Sequence, residues 1–361
     1  QSVPEMFPGA EVSSITRSLT PSLVRELALE CGFSLAGIAR SGPVADFDRY
    51  QGWVERGLAG EMRYLTDHRG QIRKDPANLL PGCRSILCTA LVYNGPEPYS
   101  TAFNESGRAW ISRYAWGDDY HVIIREKLER LARKLLEYQD FAWRACVDTA
   151  PLLERSLARE AGLGWIGRNT CLINQRAGSW FFLGELLTTL DLPAGEPPPD
   201  RCGSCTRCID ACPTAAIVPS PGGGYELDAR LCISYFTIEL RSPIPEPQRN
   251  AIGNNIFGCD ICQDVCPWNR RAAESRLEKF RPRHQAAPPL DRMAGLSEGE
   301  FREMFRGTPV TRAKYSGFLR NVAIAMGNAR APEFREPLEK LAESGDELVA
   351  EHARWALDRL V

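Results

Sequence analysis

Cys202-Gly-Ser-Cys205-Thr-Arg-Cys208-Ile-Asp-Ala-Cys212-Pro213 and, further along, Cys259-Asp-Ile-Cys262-Gln-Asp-Val-Cys266-Pro267 decide how this chain is read. The first run is C-x2-C-x2-C-x3-C-P, a spacing in which three thiolates wrap one [4Fe–4S] cube and the fourth reaches a second cube. The second run closes with the same C-x2-C-x3-C-P, but Ile256 stands where its opening cysteine belongs. Cys232, between the two runs, is the substitute. Cys202, Cys205, Cys208 and Cys266 are therefore assigned to one cluster, and Cys212, Cys232, Cys259 and Cys262 to the other. Zinc also takes paired C-x2-C motifs, though seldom with two interleaved C-x3-C-P endings. A disulfide scaffold belongs to short secreted chains.

Around this segment lie 361 residues, 43% hydrophobic and 25% charged. That is ordinary globular composition, enough for two or three domains, and it excludes a disordered or fibrous chain. A net charge of −2 gives no global pull toward polyanions, so a nucleic-acid site must be a local patch. No run approaches the ~18 uninterrupted apolar residues of a membrane span. Residues 1–14 lack the apolar core or twin arginines of an export signal. Of 13 cysteines, those outside the two quartets (Cys31, Cys83, Cys88, Cys146 and Cys171) sit in apolar surroundings and read as buried reduced thiols. Free thiols beside oxygen-sensitive clusters point to a reducing cytoplasm.

Working outward, Thr20-Pro21 opens a helix closed by Gly32. Strands are expected over 33–39, 85–92 and 141–147, with helices near 46–56 and 120–138 and a loop over 94–110. Residues 151–161 read as a helix that Gly162 caps, and 171–174 with 180–190 as a hairpin around Gly178. The N-terminal part is thus α/β. The proline-rich 193–199 is a stiff linker. Beyond 290 the chain turns helical, with a capping box at Ser297 and Glu300. Ala325 and Met326 resemble Ala356 and Leu357 about one repeat later, a faint sign of HEAT-like hairpins. The domains are placed at 15–192, 193–275 and 276–361.

Gly162-Leu-Gly164-Trp-Ile-Gly167 matches G-x-G-x-x-G, but it follows a helix instead of joining a strand to one, so it reads as a cap and loop without dinucleotide binding. Asp119-Tyr-His121 starts like the D-x-H-x-x-G of cobalamin mutases, but Ile124 fills the glycine position; His121 reads as a surface or capping histidine. A corrinoid here is expected to lack an axial histidine. Asp148 follows a strand end, where α/β folds place chemistry. Walled by apolar side chains it would hold a proton near neutral pH as a general acid; as N-cap of the 151–161 helix it would need no further role. The residues leave these two readings level. Arg63, Arg73, Arg113, Arg155 and Arg168 are each structural taken singly, whereas a cluster of them would suit a phosphate- or amide-rich ligand.

Taken together, Ile111-Ser-Arg-Tyr-Ala-Trp-Gly-Asp-Asp-Tyr-His121, Val147-Asp-Thr149, Gly164-Trp-Ile-Gly-Arg-Asn169, the cysteine spacing, Cys232-Ile-Ser-Tyr-Phe-Thr237 and the helical tail resemble the epoxyqueuosine reductase family. The resemblance spans nearly the whole chain after residue 20. It implies a cytoplasmic, cobalamin-dependent iron–sulfur enzyme that reduces epoxyqueuosine to queuosine in tRNA. Its N-terminal α/β domain would be similar to the cobalamin domain of reductive dehalogenases, followed by a ferredoxin-like domain and a HEAT-like helical domain. The resemblance makes Asp148 the proton donor. It places cobalamin against Arg73, Ser112, Asp148, Gly167, Leu172, Ile173, Asn174, Leu183 and Ser234.

Two adjacent clusters form a wire for single electrons, feeding a cofactor that carries the hard chemistry. Reductive dehalogenation is the alternative enzyme reading, disfavoured by the missing export signal. A simple electron carrier would not need so large an α/β domain. The expected partners are tRNA, an external low-potential electron donor and no membrane, with the chain a monomer. Lys314 and Arg320, free of adjacent acids, are expected to grip the tRNA backbone.

Overall fold

The computed structural model describes residues 18–103 and 107–360; the 1–14 stretch read for an export signal and residues 104–106 of the expected loop lie outside them. In chain order the strands are β1 (Leu35–Arg40), β2 (Ser85–Val92), β3 (Trp110–Ile111), β4 (Trp143–Cys146), β5 (Trp165–Ile166), β6 (Leu172–Ile173), β7 (Phe181–Thr188), β8 (Ile217–Pro219), β9 (Tyr225–Leu227) and β10 (Asn255–Phe257). Four of them make the main sheet in the order β1-β2-β7-β4. Every neighbouring pair in it is antiparallel. This corrects the α/β expectation: helices cover both faces, but no parallel βαβ crossover builds the sheet. Continuous apolar strands such as β2 predict burial on both faces; they do not encode strand direction.

The two faces are covered as the side-chain alternation of β2 and β7 requires. Leu87, Leu91 and Leu186 meet Val24 and Leu27 of the Pro21–Glu30 helix and Ile124, Leu128 and Leu131 of the Tyr120–Leu136 helix. Ile86, Cys88, Ala90 and Leu187 meet Leu157 and Ala158 of the Glu154–Glu160 helix. Thr20 caps the first helix by accepting from the Leu23 N–H at 3.2 Å, as its hydroxyl and the following proline predict. The expected Ser297–Glu300 capping box is complete.

Two local expectations fail. The helix expected from Pro151 begins at Glu154, so Asp148 is not its cap. The expected hairpin around Gly178 reduces to one bridge, Asn174 to Gly178, while β6 pairs with β5 and β7 joins the large sheet.

In the cysteine-rich part, short helices at Arg207–Asp210 and Ile261–Asp264 carry members of the two motifs, and β8 pairs with β9. Strand β10 runs parallel to β3 and carries Ile256, fully buried in the largest apolar cluster. A cluster ligand at that position would have to leave the core. The same apolar cluster takes in Trp110, Ile111, Phe257, Phe318, Val322 and Ala356, so packing runs continuously across the boundaries expected at 193 and 276. The Lys314–Ala329 helix lies against the Glu347–Leu357 helix, close enough at Gly327 that an added Cβ would stand 2.8 Å from Ala356.

Arg320 is the clearest correction. It is fully buried, donating to the carbonyls of Leu240 at 3.0 Å, Ser242 at 2.9 Å and Phe236 at 2.5 Å. Burial lowers its pKa to about 10. Its guanidinium satisfies the carbonyls that end the Tyr235–Glu239 π-helical turn and its exit, so it is not a surface cation for RNA. Sequence distance from acidic residues says nothing about carbonyl partners 80 residues away. Among the described residues no helix is long and apolar enough to cross a membrane.

Candidate active site

The eight motif cysteines stand in two neighbourhoods. Burial pushes the Cys208 thiol up to about 11, and Cys202, Cys266 and Cys205 add to the rise. Burial likewise raises Cys259, with Cys232 and Cys212 contributing. Cys262 is raised by a hydrogen bond to Cys171, by burial, and by Cys259 and Cys232. Among the described residues no three His, Cys, Asp or Glu side chains close on one point as around a single metal ion; the thiols stand in two groups. Cys171, read from the sequence as one more inert buried thiol, touches the second of them.

Asp148 sits at the head of a tight turn after β4. Its φ of 48° is in the left-handed region, the Thr149 N–H donates to the Val147 carbonyl at 2.5 Å, and its own N–H donates to Glu154 Oε1 at 2.6 Å. A three-residue turn of this hand is rare and strained, and it persists where surrounding contacts impose it. The carboxylate is ringed by charge, where an acid kept protonated by burial would need an apolar wall. Oδ2 lies 3.2 Å from His121 Nε2 and 3.5 Å from Arg312 Nη1. The Tyr120 phenol adds to the lowering of the Asp148 pKa.

His121 bridges two acids, with Nδ1 at 2.7 Å from Asp119 Oδ1. Burial disfavours its imidazolium, but the hydrogen bonds and charges of Asp119 and Asp148 outweigh that and raise it to about 9. For Asp148 burial pushes upward, yet His121 and Arg312 prevail and hold the carboxyl below the usual carboxylate range. At neutral pH the pair therefore rests as carboxylate and imidazolium. The proton expected on Asp148 is on His121.

Arg312 brings the C-terminal helices into the site. Its Nη2 lies 2.8 Å from Glu239 Oε1 and donates to the Tyr64 hydroxyl at 3.3 Å. Glu239 ends the π-helical turn that starts just past Cys232, a distortion frequent at functional sites. Burial pushes the Tyr64 phenol up to about 12, so it stays a neutral donor.

The other residues named from the resemblance are distributed around this recess. Arg73 is buried beside Tyr64, donating from Nη2 to the Tyr64 carbonyl at 3.1 Å while Nη1 has no hydrogen-bond partner among the described residues. Ser112 is buried and committed to Asp260 Oδ1 at 2.5 Å. Asp260 also accepts from the Trp110 ring and the Arg113 N–H, so Ser112 braces the loop carrying Cys259 and Cys262. Asn174 gives its amide to the Leu163 carbonyl at 2.6 Å. Leu172 and Ile173 form β6, Gly167 packs on Ile173, Leu183 lies on β7, and Ser234 precedes the π-helical turn. Of the arginines thought capable of clustering, Arg113, Arg155 and Arg168 are tied to loop carbonyls. Lys314 is exposed at the start of its helix.

Known proteins bear on this arrangement directly. A 4Fe-4S double cluster binding domain model matches residues 201–269, and the epoxyqueuosine reductase QueG (DUF1730) model matches 73–149. An epoxyqueuosine reductase of Xanthomonas campestris is 42% identical over 340 residues, covering 92% of this chain and 94% of that one. This chain belongs to the epoxyqueuosine reductase family. The family's members are oxidoreductases. A crystal structure of an epoxyqueuosine reductase with an epoxyqueuosine-modified tRNA-Tyr stem loop matches with 28% identity and a TM-score of 0.80, over 94% of this chain and 98% of that one. A structure of the Bacillus subtilis epoxyqueuosine reductase, 27% identical with a TM-score of 0.78 over 94% of this chain and 98% of that one, has its catalytic aspartate loop swung out of the active site.

In this recess, sequence reasoning missed Arg312, Tyr64, Glu239 and Glu154 and passed over His121. The Asp119-Tyr-His121 stretch did single out His121. It was set aside because helix-start histidines usually cap, and nothing local reveals a carboxylate 27 residues on.

Proposed function

We propose that this chain reduces epoxyqueuosine to queuosine in tRNA, the last step in making that base, and that the carboxylate–imidazolium pair Asp148–His121 handles the proton. The pair, set where the Cys232 segment and Arg312 converge, carries the reading. Opening the epoxide to an alkene consumes two electrons and two protons and releases the oxygen as water. The two thiol quartets suit a pair of [4Fe–4S] clusters that pass electrons singly.

Cobalamin would lie against Arg73, Gly167, the 172–174 segment, Leu183 and Ser234. The orphaned, buried Nη1 of Arg73 suits a ligand rimmed with amides and phosphate. Ser112 and Asn174 have spent their side chains and can offer backbone alone. When bound, cobalamin supplies one-electron cobalt chemistry at the epoxide. As negative charge grows on the leaving oxygen, His121 passes one of the two protons across the 3.2 Å contact to Asp148 and so to that oxygen, and the pair takes up the second from solvent. Arg312 keeps Asp148 oriented for the transfer. The reading is tested by anaerobic reconstitution with hydroxocobalamin: retention of the corrin after gel filtration in the chain, and its weakening in Arg73→Ala, are expected. A chain that retains no corrin overturns the cobalamin assignment.

With Arg320 withdrawn, Lys314 remains as the proposed phosphate contact of a monomeric, cytoplasmic enzyme. A single phosphate contact contributes ~0.7–0.9 to the slope of log affinity against log salt. Lys314→Ala is expected to flatten the salt dependence of tRNA binding by about that amount, leaving activity on the free nucleoside unchanged. An identical salt slope removes Lys314 from the interface.

A further inference from the structure

Two acids behind the Asp148 turn have no part in the chemistry above. Glu185 is fully buried in the middle of the main sheet, its Cα opposite Cys88 on β2 and Cys146 on β4. It shares its sheet face with Leu183 and Leu187, under the Glu154–Glu160 helix. Among the described residues no N–H or hydroxyl donates to either of its oxygens. Its acidic neighbour is Glu154, at the start of the covering helix, and two carboxyl groups so placed can share a proton. Burial pushes both upward: the charge of Asp148 adds to the rise of Glu154, to about 7, and the charge of Glu154 adds to the rise of Glu185. Burying a carboxyl such as that of Glu185 costs several kcal/mol relative to an apolar residue of the same volume, so its presence at this place calls for a purpose.

The purpose is visible at the other end of Glu154. Its Oε1 accepts the Asp148 N–H at 2.6 Å, and this is the bond that fixes the backbone of the strained turn at φ 48°. The neighbouring Arg155 ties the same helix start to the Thr170 carbonyl. A turn in a disfavoured conformation relaxes when its tether is removed, and in the Bacillus subtilis relative the catalytic aspartate loop is found swung out. We infer that Glu154, set against the buried Glu185, is the latch that holds the Asp148 turn in its reactive position. It is a positioning residue: its carboxyl meets the backbone of Asp148, not the substrate. The inference rests on the reading of Asp148 as the group that delivers the proton.

Three variants of the cluster- and corrin-loaded enzyme test it. In Glu154→Ala the amide of Asp148 should exchange with solvent deuterium at least ~10-fold faster, and kcat should fall ~10²-fold, the loss typical of a reacting group displaced by about an ångström. KM for epoxyqueuosine tRNA should stay within about twofold, with cluster content unchanged. Glu154→Gln keeps an acceptor oxygen for the Asp148 N–H and an amide for Glu185, and should restore kcat to within about threefold. Glu185→Met removes the buried acid at similar volume and should give an intermediate loss, which keeps the test alive where Glu154→Ala does not fold. Unchanged exchange at Asp148 in Glu154→Ala, or a Gln variant as impaired as the Ala variant, overturns the latch. Faster exchange with undiminished kcat would uphold the latch and overturn the role of Asp148.

Discussion

Asp148→Asn is expected to keep both clusters and the corrin and to slow single-turnover reduction of epoxyqueuosine tRNA by ~10²–10⁴-fold, the contribution of a positioned acid–base group. The asparagine still occupies the turn and still gives its N–H to Glu154. What it cannot do is take the His121 proton and hand it on. The pH profile separates this from a simple loss of packing. In the parent enzyme His121 is held up to about 9 by Asp119 and Asp148, so turnover should persist through neutral pH and fall as pH rises past that value.

Removing the Asp148 charge takes away one of the groups that raise His121, so the alkaline limb should move to lower pH in the variant. The linkage has the same sign for stability. A histidine raised from 6.5 to about 9 contributes fully below 6.5 and loses its contribution as pH climbs through about 9. Near-normal single turnover by Asp148→Asn would show that the proton reaches the oxygen by another route.

Cys232→Ala should be more severe for electron supply. Ile256, at the place of the missing motif cysteine, is locked in the largest apolar cluster on β10 and cannot be replaced by a neighbouring thiolate. Cys232 lies at the end of the short Ala229–Leu231 turn, which Asp228 caps through the Arg230 N–H. With Cys212, Cys259 and Cys262 left as a trio, one cluster should be lost, iron and acid-labile sulfide should drop by half, and steady-state turnover should fall below detection while corrin binding persists. Full iron and sulfide in this variant would refute the division of the cysteines. Cys171, whose thiol interacts with that of Cys262, is a thiol that could stand in, so the double variant with Cys171→Ser distinguishes rescue from error.

The sequence exposed whatever is set by neighbours along the chain. Thiolate spacing, the doubly buried β2, the Thr20 cap and the Ser297–Glu300 box each depend on residues a few positions apart, and each is present. Strand direction is not set in that way, and the sheet proved antiparallel. The same limit explains Asp148, left between two readings because its charged partners stand 27 residues before it and far beyond it, at Arg312. It explains Arg320, whose run of non-acidic neighbours suggested a free cation while its partners were carbonyls in the Phe236–Ser242 segment. Glu154 and Glu185 carry no local signal at all. An acid at a helix start and an acid in a strand become a pair when the helix lands on that face of the sheet.

The most direct measurement is the mass of the anticodon nucleoside after one anaerobic turnover of epoxyqueuosine-modified tRNA with the reduced, corrin-loaded enzyme. Loss of a single oxygen atom, with two electrons drawn per nucleoside, is the predicted result. An unchanged mass, or a gain of two hydrogens with the oxygen retained as a hydroxyl, would contradict deoxygenation by this site.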